Sequence, residues 1–594
     1  MKFPYGMSDF HKLITEDYFY VDRTDRIPAI EEMGEQLLFL RPRRFGKSLW
    51  LSTLANYYDV ARASEFERLF GHLAVGQNPT SRHNQYFVMR WDFSAVAAYG
   101  DADEIAQALH RHINGRIQDF AVRYQHLLPL PIEIHPTDAL VSFQSALTAV
   151  QRTPYALYLL IDEYDNFANE LAMSGQPTGK QRYDALLRGE GALKTLFKAI
   201  KAAASGFGLD RVFITGVSPI VLSDLTSGYN SARAIYLQPV LNDLCGFTET
   251  EIAAALNQVS AACHFPASKT AEALEMMRIF YNGYRFCQDP APPVYNPTLA
   301  LYFMQEFQQA CRYPSQMLDS NLAMDRGKLA YIASLPGGGQ VLLDAVNDEP
   351  PLALSVLADR FGVEEMLLAV KDAPFMASFL YYFGVLTFGG RTPFGKLILR
   401  IPNLVARKLY VERIQDLLLP DKRAQDAGRQ AADQFLQSGD LEPVCTFVEQ
   451  RYFRVFDNRD YRWANELTIK TAFLTLLFND IAYIMDSEPA LARAYADLSM
   501  IVRPEMRQYQ LPDVLFEFKY VALAEGGVTA EQARGLSEAE VRALPAVAAR
   551  LAEATARLLD YRVALQARYD NRLRLRAYAV AALGFERLVW TECS

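Results

Sequence analysis

The sequence has no CxxC pair among its six cysteines, at 245, 263, 287, 311, 445 and 593. That spacing excludes a zinc ribbon and a thioredoxin-like dithiol. Six isolated thiols suit a reducing, cytoplasmic setting. Histidine is confined to one side: all eight lie at or before His264, so the C-terminal third has no imidazole for metal ligation or base catalysis. The opening MKFPYGMSDFHKL has no apolar core, so no secretory leader is expected. The longest uncharged stretch, 373–390, is broken by Pro374, Gly384 and Gly389. It reads as a helix end, a glycine turn and a buried strand, too interrupted for the roughly 20 apolar residues of a membrane span. There is no internal repeat or low-complexity tract. Net positive charge is also missing: the chain carries −9, which excludes a uniformly basic nucleic-acid binder. Residues 451–594 hold 19 Lys+Arg and 19 Asp+Glu, so the whole excess of acid lies in 1–450.

What is present is a globular composition, 51% hydrophobic and 22% charged over 594 residues. At about 150 residues per domain this gives about four structural units. Residues 1–240 alternate strand-like runs (36–40, 86–93, 156–161, 211–215) with helical stretches, which predicts a mostly parallel α/β sheet. Residues 241–300 read as a small helical unit closing in a proline-rich loop at 289–293. Residues 301–450 read as mainly helical, and 451–594 as helix, strand, strand, helices, strand. Capping boxes at Thr529–Gln532 and Ser537–Glu540 start helices within 522–560, read as an insertion between two strands.

The apolar run ending at Leu40 leads into Arg41-Pro42-Arg43-Arg44-Phe45-Gly46-Lys47-Ser48 and then a helical stretch. This is the strand–loop–helix setting of GxxxxGK[ST], with Arg41 in place of the first glycine. Backbone N–H groups of 43–48 at the helix start would cradle phosphates. Lys47 would pair with the β/γ-phosphates and Ser48 would ligate Mg2+, while Arg43 and Arg44 add positive charge. A second buried strand ends in Asp162-Glu163, where Asp162 would hold Mg2+ and Glu163 would polarise the attacking water. A third ends in Thr215 and Ser218, placed to sense the γ-phosphate between the other two.

The C-terminal third carries Glu466, Asp497, Glu517 and Lys519 in that order. Glu517 and Lys519, two apart on a strand, share one face, with Phe516 and Phe518 on the other. The segment 503–512 can turn the chain and set Asp497 beside Glu517. Two close carboxylates repel unless a cation lies between them, and Mg2+ prefers oxygen. Glu466 would complete the cluster, and Lys519 would orient or deprotonate a water or stabilise phosphate charge. Asp513 is a rival for Asp497, but four strand residues from Glu517 is too far for shared ligation. Gln566 is a candidate to position water or phosphate, and Arg572, Arg574 and Arg576 to meet a nucleic-acid backbone.

Together these residues resemble the bacterial AAA-type ATPase-like proteins fused to a C-terminal PD-(D/E)XK nuclease-superfamily domain. The resemblance rests on Pro4-Tyr5-Gly6, 19–24, 41–49, the DEYD at 162–165, 213–219, 228–230, 246–248, 281–286, 295–297, 383–387, Ala496-Asp497-Leu498 and 516–520. It implies an α/β multidomain chain: a P-loop ATPase sheet (1–240), a helical lid (241–300), a helical connector (301–450) and a restriction-endonuclease-like domain (451–594). In the family that the chain resembles, the loop commonly reads RPRRFGKS, so the resemblance implies that Arg41 is a family trait. The resemblance places metal ligation on Asp497 and Glu517 and catalysis on Lys519. Departures are Tyr495-Ala496 before the aspartate and the long segment between Lys519 and Gln566.

The expectation is an ATP-binding and ATP-hydrolysing protein that gates a Mg2+-dependent nuclease, acting on nucleic acid, with DNA ahead of RNA. Defence against foreign DNA is the role read from that architecture. The alternatives are a non-cleaving ATP-dependent switch that only binds a partner, and a nuclease whose P-loop is structural. No membrane association is expected. A homo-oligomer or a protein partner is left open: AAA-like sites often need an arginine from a neighbour, for which Arg233 is the candidate.

Overall fold

The computed structural model describes residues 1–96, 100–166, 191–220, 232–317, 326–347, 351–359, 361, 371–456, 466–486, 490–491, 494–568 and 573–593. The chain divides into two compact units. The first comprises 1–312, 331–338 and 352–403; the second comprises 313–330, 339–351 and 404–594. The expected connector 301–450 is therefore not one piece, because 352–403 belongs to the first unit and 404–450 to the second.

In the first unit, β1 (Gln36–Leu40), β2 (Tyr86–Asp92), β3 (Ala156–Asp162), β4 (Leu209–Gly216) and β5 (Arg233–Ala234) form a parallel sheet in the order β2-β3-β4-β1-β5. The central strands are near-continuous apolar runs and are buried almost throughout, as a parallel sheet covered on both faces requires. Helix α1 (Lys47–Tyr58) follows β1 directly. Helices α2 (Glu249–Ala262), α3 (Ala267–Tyr281) and α4 (Pro297–Ala310) follow the sheet in the same unit. Cys263 and Cys311, just beyond the ends of α2 and α4, are joined in a disulfide, so two of the six thiols expected to be free are not. The other four are buried.

Further on, β6 (Leu352–Leu354), helix α5 (Ala373–Tyr382), β7 (Thr387–Arg391) and β8 (Leu397–Arg400) follow, and the three strands form an antiparallel sheet in the order β6-β8-β7. The uncharged 373–390 stretch is thus helix, turn and strand. Gly384 makes the turn at φ 76°, and a Cβ there would lie 2.7 Å from the Pro42 ring. Among the described residues no helix is long and apolar enough to cross a membrane.

The second unit is built on helix α6 (Glu466–Leu477) and a five-stranded sheet. Its strands are β9 (Tyr483–Asp486), β12 (Leu498–Val502), β13 (Asp513–Val521), β14 (Leu575–Leu583) and β15 (Arg587–Cys593), ordered β15-β14-β13-β12-β9; a short ribbon, β10 (Ala490–Leu491) with β11 (Ala494–Tyr495), precedes β12. Strands β13 and β14 are parallel and the other neighbours antiparallel. A parallel pair needs a long crossover. Helices α7 (Ala530–Gly535), α8 (Glu538–Ala543) and α9 (Pro545–Arg568) supply it. Both predicted capping boxes form. The segment 522–560 is therefore part of the fold and not an insertion. The stripe Val547, Leu551, Ala554, Leu558, Tyr561 and Leu565 of α9 is buried in one core with strand residues such as Leu515, Ala579 and Ala581.

Candidate functional site

The geometry around the 41–48 loop grows from the register of the parallel sheet. Phe39 of β1 pairs with Thr215 of β4, and Ile161 of β3 pairs with Ile214. The C-terminal ends of β1, β4 and β3 are therefore level, in that spatial order. Gly46 (φ 94°) caps α1 in the left-handed region, where a side chain would be strained, and Arg44 is also left-handed at φ 66°. Lys47 and Ser48 open the helix. The Lys47 ammonium is buried and donates to the carbonyls of Arg41 (3.0 Å) and Pro42 (3.1 Å). Burial lowers its pKa, opposed by Glu163, Asp162 and Asp165. Phe45 is enclosed by Tyr284 and Phe286, at centroid distances of 4.8 and 5.1 Å. Only its main chain is left to meet a phosphate. Arg43 donates to the Asn166 side chain at 2.5 Å, and the Arg44 carbonyl accepts from Thr298 at 2.8 Å.

Arg41, the odd residue of the loop, is 2% exposed. Its guanidinium donates to the carbonyls of Leu40 (2.8 Å), Tyr236 (2.8 Å) and Leu241 (2.6 Å) and lies between the rings of Phe39 and Phe286. Burial pushes it down to about 10, so it stays charged at neutral pH. Arg41 holds the loop from behind and takes no position a phosphate needs. Restoring the glycine with Arg41→Gly is accordingly expected to destabilise the first unit by about 3 kcal/mol, through lost hydrogen bonds, lost cation–π contacts and a cavity. Urea unfolding checks this; an unchanged midpoint would contradict it.

At the ends of β3 and β4, Asp162 is buried and accepts from Thr215 Oγ1 at 2.5 Å. Glu163 sits at φ 47° with its pKa raised by burial, an effect opposed by Lys47. Asp165, quoted in the sequence only as part of DEYD, accepts from the main-chain N–H of Val217 (3.1 Å) and Ser218 (2.8 Å) and from Ser218 Oγ (2.8 Å). It thereby fixes the turn after β4. A Cβ on Gly216 would fall 2.4 Å from the Tyr164 ring and 2.6 Å from Asp165 Oδ1. Arg233 is on β5 and donates to the Met33 carbonyl at 2.8 Å.

In the second unit Leu498 pairs with Phe516, which puts Asp497 at the level of 517–518. Asp497 Oδ2 accepts from the Phe518 N–H at 2.7 Å. Glu517 and Lys519 are 1% and 2% exposed, and Lys519 Nζ donates to Glu517 Oε1 at 3.0 Å. Glu517 Oε2 is buried without a hydrogen-bond partner among the described residues. Burial, reinforced by the Glu517 charge, pushes Asp497 up to about 7. Two carboxylates repelling in a buried site, one with an unsatisfied oxygen, are the donor set a hard divalent cation fits.

Sequence reasoning missed two cations here. Arg557 of α9 donates to Glu517 Oε1 at 3.0 Å, and Lys470 of α6 is 2% exposed and close enough to lower the Asp497 pKa. Helical spacing from Glu466 (i, i+4) was the available signal for Lys470. Gln566 is nine residues beyond Arg557 on the same helix, about half a turn out of phase, and faces the other flank of the buried stripe. The helix brings Arg557, not Gln566, to Glu517. Glu466 does not complete a carboxylate triad: its Oε2 lies 3.6 Å from Lys519 Nζ, and no set of three His, Cys, Asp or Glu ligands occurs among the described residues. Asp513 is a structural anchor, fully buried, paired with both Arg507 nitrogens at 2.9 Å and accepting from the N–H groups of Val502 and Arg574 at 2.8 Å. Arg576 is held by Glu592 at 2.6 Å. Arg572 and the 228–230 match lie outside the described residues.

The Asp497 shift carries a sign. Its folded pKa lies above the unfolded value, so the metal-free fold loses stability as pH rises from about 4 to about 7 and carries the full cost above that. Asp497→Asn is expected to stabilise the second unit by about 2–4 kcal/mol at pH 8 and by almost nothing at pH 4. Urea titrations in EDTA check this; a destabilised variant at pH 8 would contradict it.

Residues 4–226 match the AAA-ATPase-like family model, described as a predicted AAA-ATPase. The matched span contains the loop at 41–48 and strands β1 to β4. Over 547 residues the chain is 24% identical to the "Uncharacterized protein in vnfD 5'region" of Azotobacter chroococcum mcd 1, covering 89% of this chain and 92% of that one. Among solved structures, the Walker-type ATPase PABY2304 of Pyrococcus abyssi aligns with TM-score 0.35 and 15% identity over 66% of this chain and 96% of its own. The ORC2 protein of Aeropyrum pernix, in ADPNP–ADP complexes, aligns with TM-score 0.32 and 11% identity over 68% and 98%.

Proposed function

We propose, proceeding from the match of residues 4–226 to the predicted AAA-ATPase family, that the first unit binds and hydrolyses ATP and that the second cleaves phosphodiester bonds. In the first unit, main-chain N–H groups of 43–48 cradle the phosphates. Lys47 exchanges the carbonyls of Arg41 and Pro42 for phosphate oxygens. Ser48 and Asp162 would hold Mg2+, which neutralises charge on the transferred phosphoryl group. Glu163, its proton affinity raised by burial, orients and deprotonates the attacking water. Thr215 keeps the Asp162 carboxylate aimed, and Asp165 keeps Ser218 at the strand end.

The observation that carries the cleavage reading is the buried Glu517 Oε2, left without a partner among the described residues, beside Asp497. These two carboxylates would hold a divalent cation, which supplies charge neutralisation at a scissile phosphate and acidifies a water. Lys519, tied to Glu517, orients that water or stabilises the phosphate charge. Duplex DNA is the first substrate to test, and defence against foreign DNA is the proposed setting. ATP controls cleavage only insofar as ATP- and ADP-bound states differ in their contacts with the second unit. Plasmid relaxation in Mg2+, compared between ATP, ADP and EDTA, tests this: nicking confined to Mg2+ with a nucleotide dependence supports it, and no nicking in any condition overturns it. The second reading, a switch that binds a partner without cleaving, is favoured by Lys519 and Arg557 both already neutralising Glu517.

A further inference from the structure

The most exposed large apolar side chain among the described residues is Phe394, at 94%. It sits at the tip of the β7–β8 hairpin, in Arg391-Thr392-Pro393-Phe394-Gly395-Lys396. A floppy loop would explain an exposed ring, but this tip is built. The Gly395 N–H donates to the Thr392 carbonyl at 2.9 Å, and the Thr392 N–H donates to the Lys396 carbonyl at 2.9 Å. Pro393 fixes the turn, and Gly395 takes φ 79°, the tight turn plus left-handed residue of a three-residue hairpin loop. Arg391 ties the tip down by donating to the Gly395 carbonyl at 3.0 Å. Below the tip, Arg400 lies over Gly389, where a Cβ would come within 2.4 Å of its Nε, and donates to the Gly389 carbonyl at 2.9 Å.

The charge around the ring is one-sided. No Asp or Glu occurs between Asp372 and Glu412, in a chain of net charge −9. Arg391, Lys396 and Arg400 are all exposed, and none pairs with a carboxylate of a described residue. A rigid, acid-free projection with three exposed cations flanking a ring held in water matches what enters a duplex groove. Cations meet the phosphates, and an apolar wedge inserts against or between base steps.

We propose that the β7–β8 hairpin is a contact for duplex DNA, with Lys396, Arg391 and Arg400 on the backbone and Phe394 seated in the minor groove as a wedge. The assignment takes its partner class from the nucleic-acid reading above but needs no cleavage. It therefore stands or falls separately from the Asp497–Glu517 site. The hairpin belongs to the first unit, so it would hold DNA through a part of the chain distinct from the carboxylates.

The test is fluorescence anisotropy of a labelled 30-base-pair duplex in EDTA, with the full chain. Phe394→Ser and Lys396→Glu change exposed tip residues and leave the fold and ATP turnover intact. Each is expected to weaken binding at least about fivefold and the pair at least about twentyfold. Lys396→Glu should also reduce the slope of log K against log salt by about 1. Phe394→Trp should bind as the wild type does. Affinity unchanged in the double variant would overturn the proposal. So would a Phe394-dependent attachment to vesicles with 20% phosphatidylserine and none to the duplex. A loss for Lys396→Glu with Phe394→Ser neutral would overturn the wedge.

Discussion

Glu517→Gln is expected to lower Mg2+-dependent phosphodiester cleavage by at least about a thousandfold while ATP turnover stays within about twofold. The change is isosteric and removes one charge from the site. Glu517 is the only described group joined to Lys519 and Arg557 at once, through Oε1 at 3.0 Å in both cases. Its other oxygen has no hydrogen-bond partner among the described residues and is the atom proposed to ligate a cation. The amide would offer a neutral oxygen or an N–H there, and the charge stabilisation of several kcal/mol supplied by the ion would go with it. The same substitution relieves the repulsion on Asp497 but takes the paired carboxylate from buried Lys519, so urea unfolding at pH 8 reads the balance of the two. A stable variant with lost cleavage separates a ligand from a fold determinant. A variant that cuts as the wild type does would end the nuclease reading, and one that neither folds nor cuts would make Glu517 structural. The measurement is plasmid nicking beside urea unfolding on the same preparations.

The second large effect belongs to the first unit. Lys47→Ala is expected to cut ATP turnover by about two to three orders of magnitude and to weaken nucleotide binding, with the fold retained. Losing one preorganised charge on a transferred phosphoryl group costs about that much. Retention of the fold is expected because Lys47 donates to only two carbonyls, those of Arg41 and Pro42. Arg41, six residues earlier and also buried, is the opposite case, held by three carbonyls and two rings. The pair therefore separates by assay, Lys47→Ala losing turnover and Arg41→Gly losing stability. Turnover of Lys47→Ala equal to wild type would show that the loop binds no phosphate.

Local chemistry made the strands and the carboxylate pair legible in the sequence. The apolar runs at 36–40, 86–93, 156–161 and 211–215 match β1 to β4 within about two residues because their burial on both faces leaves no polar alternation to confuse. The order β3-β4-β1 depended on parallel pairing, which sequence shows only through strand–helix alternation. Asp497 and Glu517 were legible because a short turn and period-two spacing fix which residues face each other. Arg557 was not, because it arrives from a crossover helix forty residues beyond Glu517. Reading 522–560 as an insertion hid that the parallel β13–β14 pair requires it. Gln566 was named a candidate to position water or phosphate, whereas helical phase sets it about half a turn from Arg557 on α9. The role of Arg41 was hidden for a different reason. The sequence shows Arg41 in the glycine's place but not its partners, because Tyr236 and Leu241, whose carbonyls accept from its guanidinium, lie some two hundred residues away. The Cys263–Cys311 disulfide likewise joins residues 48 apart, through the packing of α2 and α4.

Two divalent-cation sites are proposed, one in each unit. Anomalous diffraction from crystals grown with Mn2+ and a non-hydrolysable ATP analogue tests them together. One peak is predicted beside Ser48 and Asp162, against the analogue's phosphates, and another between Asp497 and Glu517 Oε2. A map with manganese at neither position, or only at surface carboxylates elsewhere, would contradict the account.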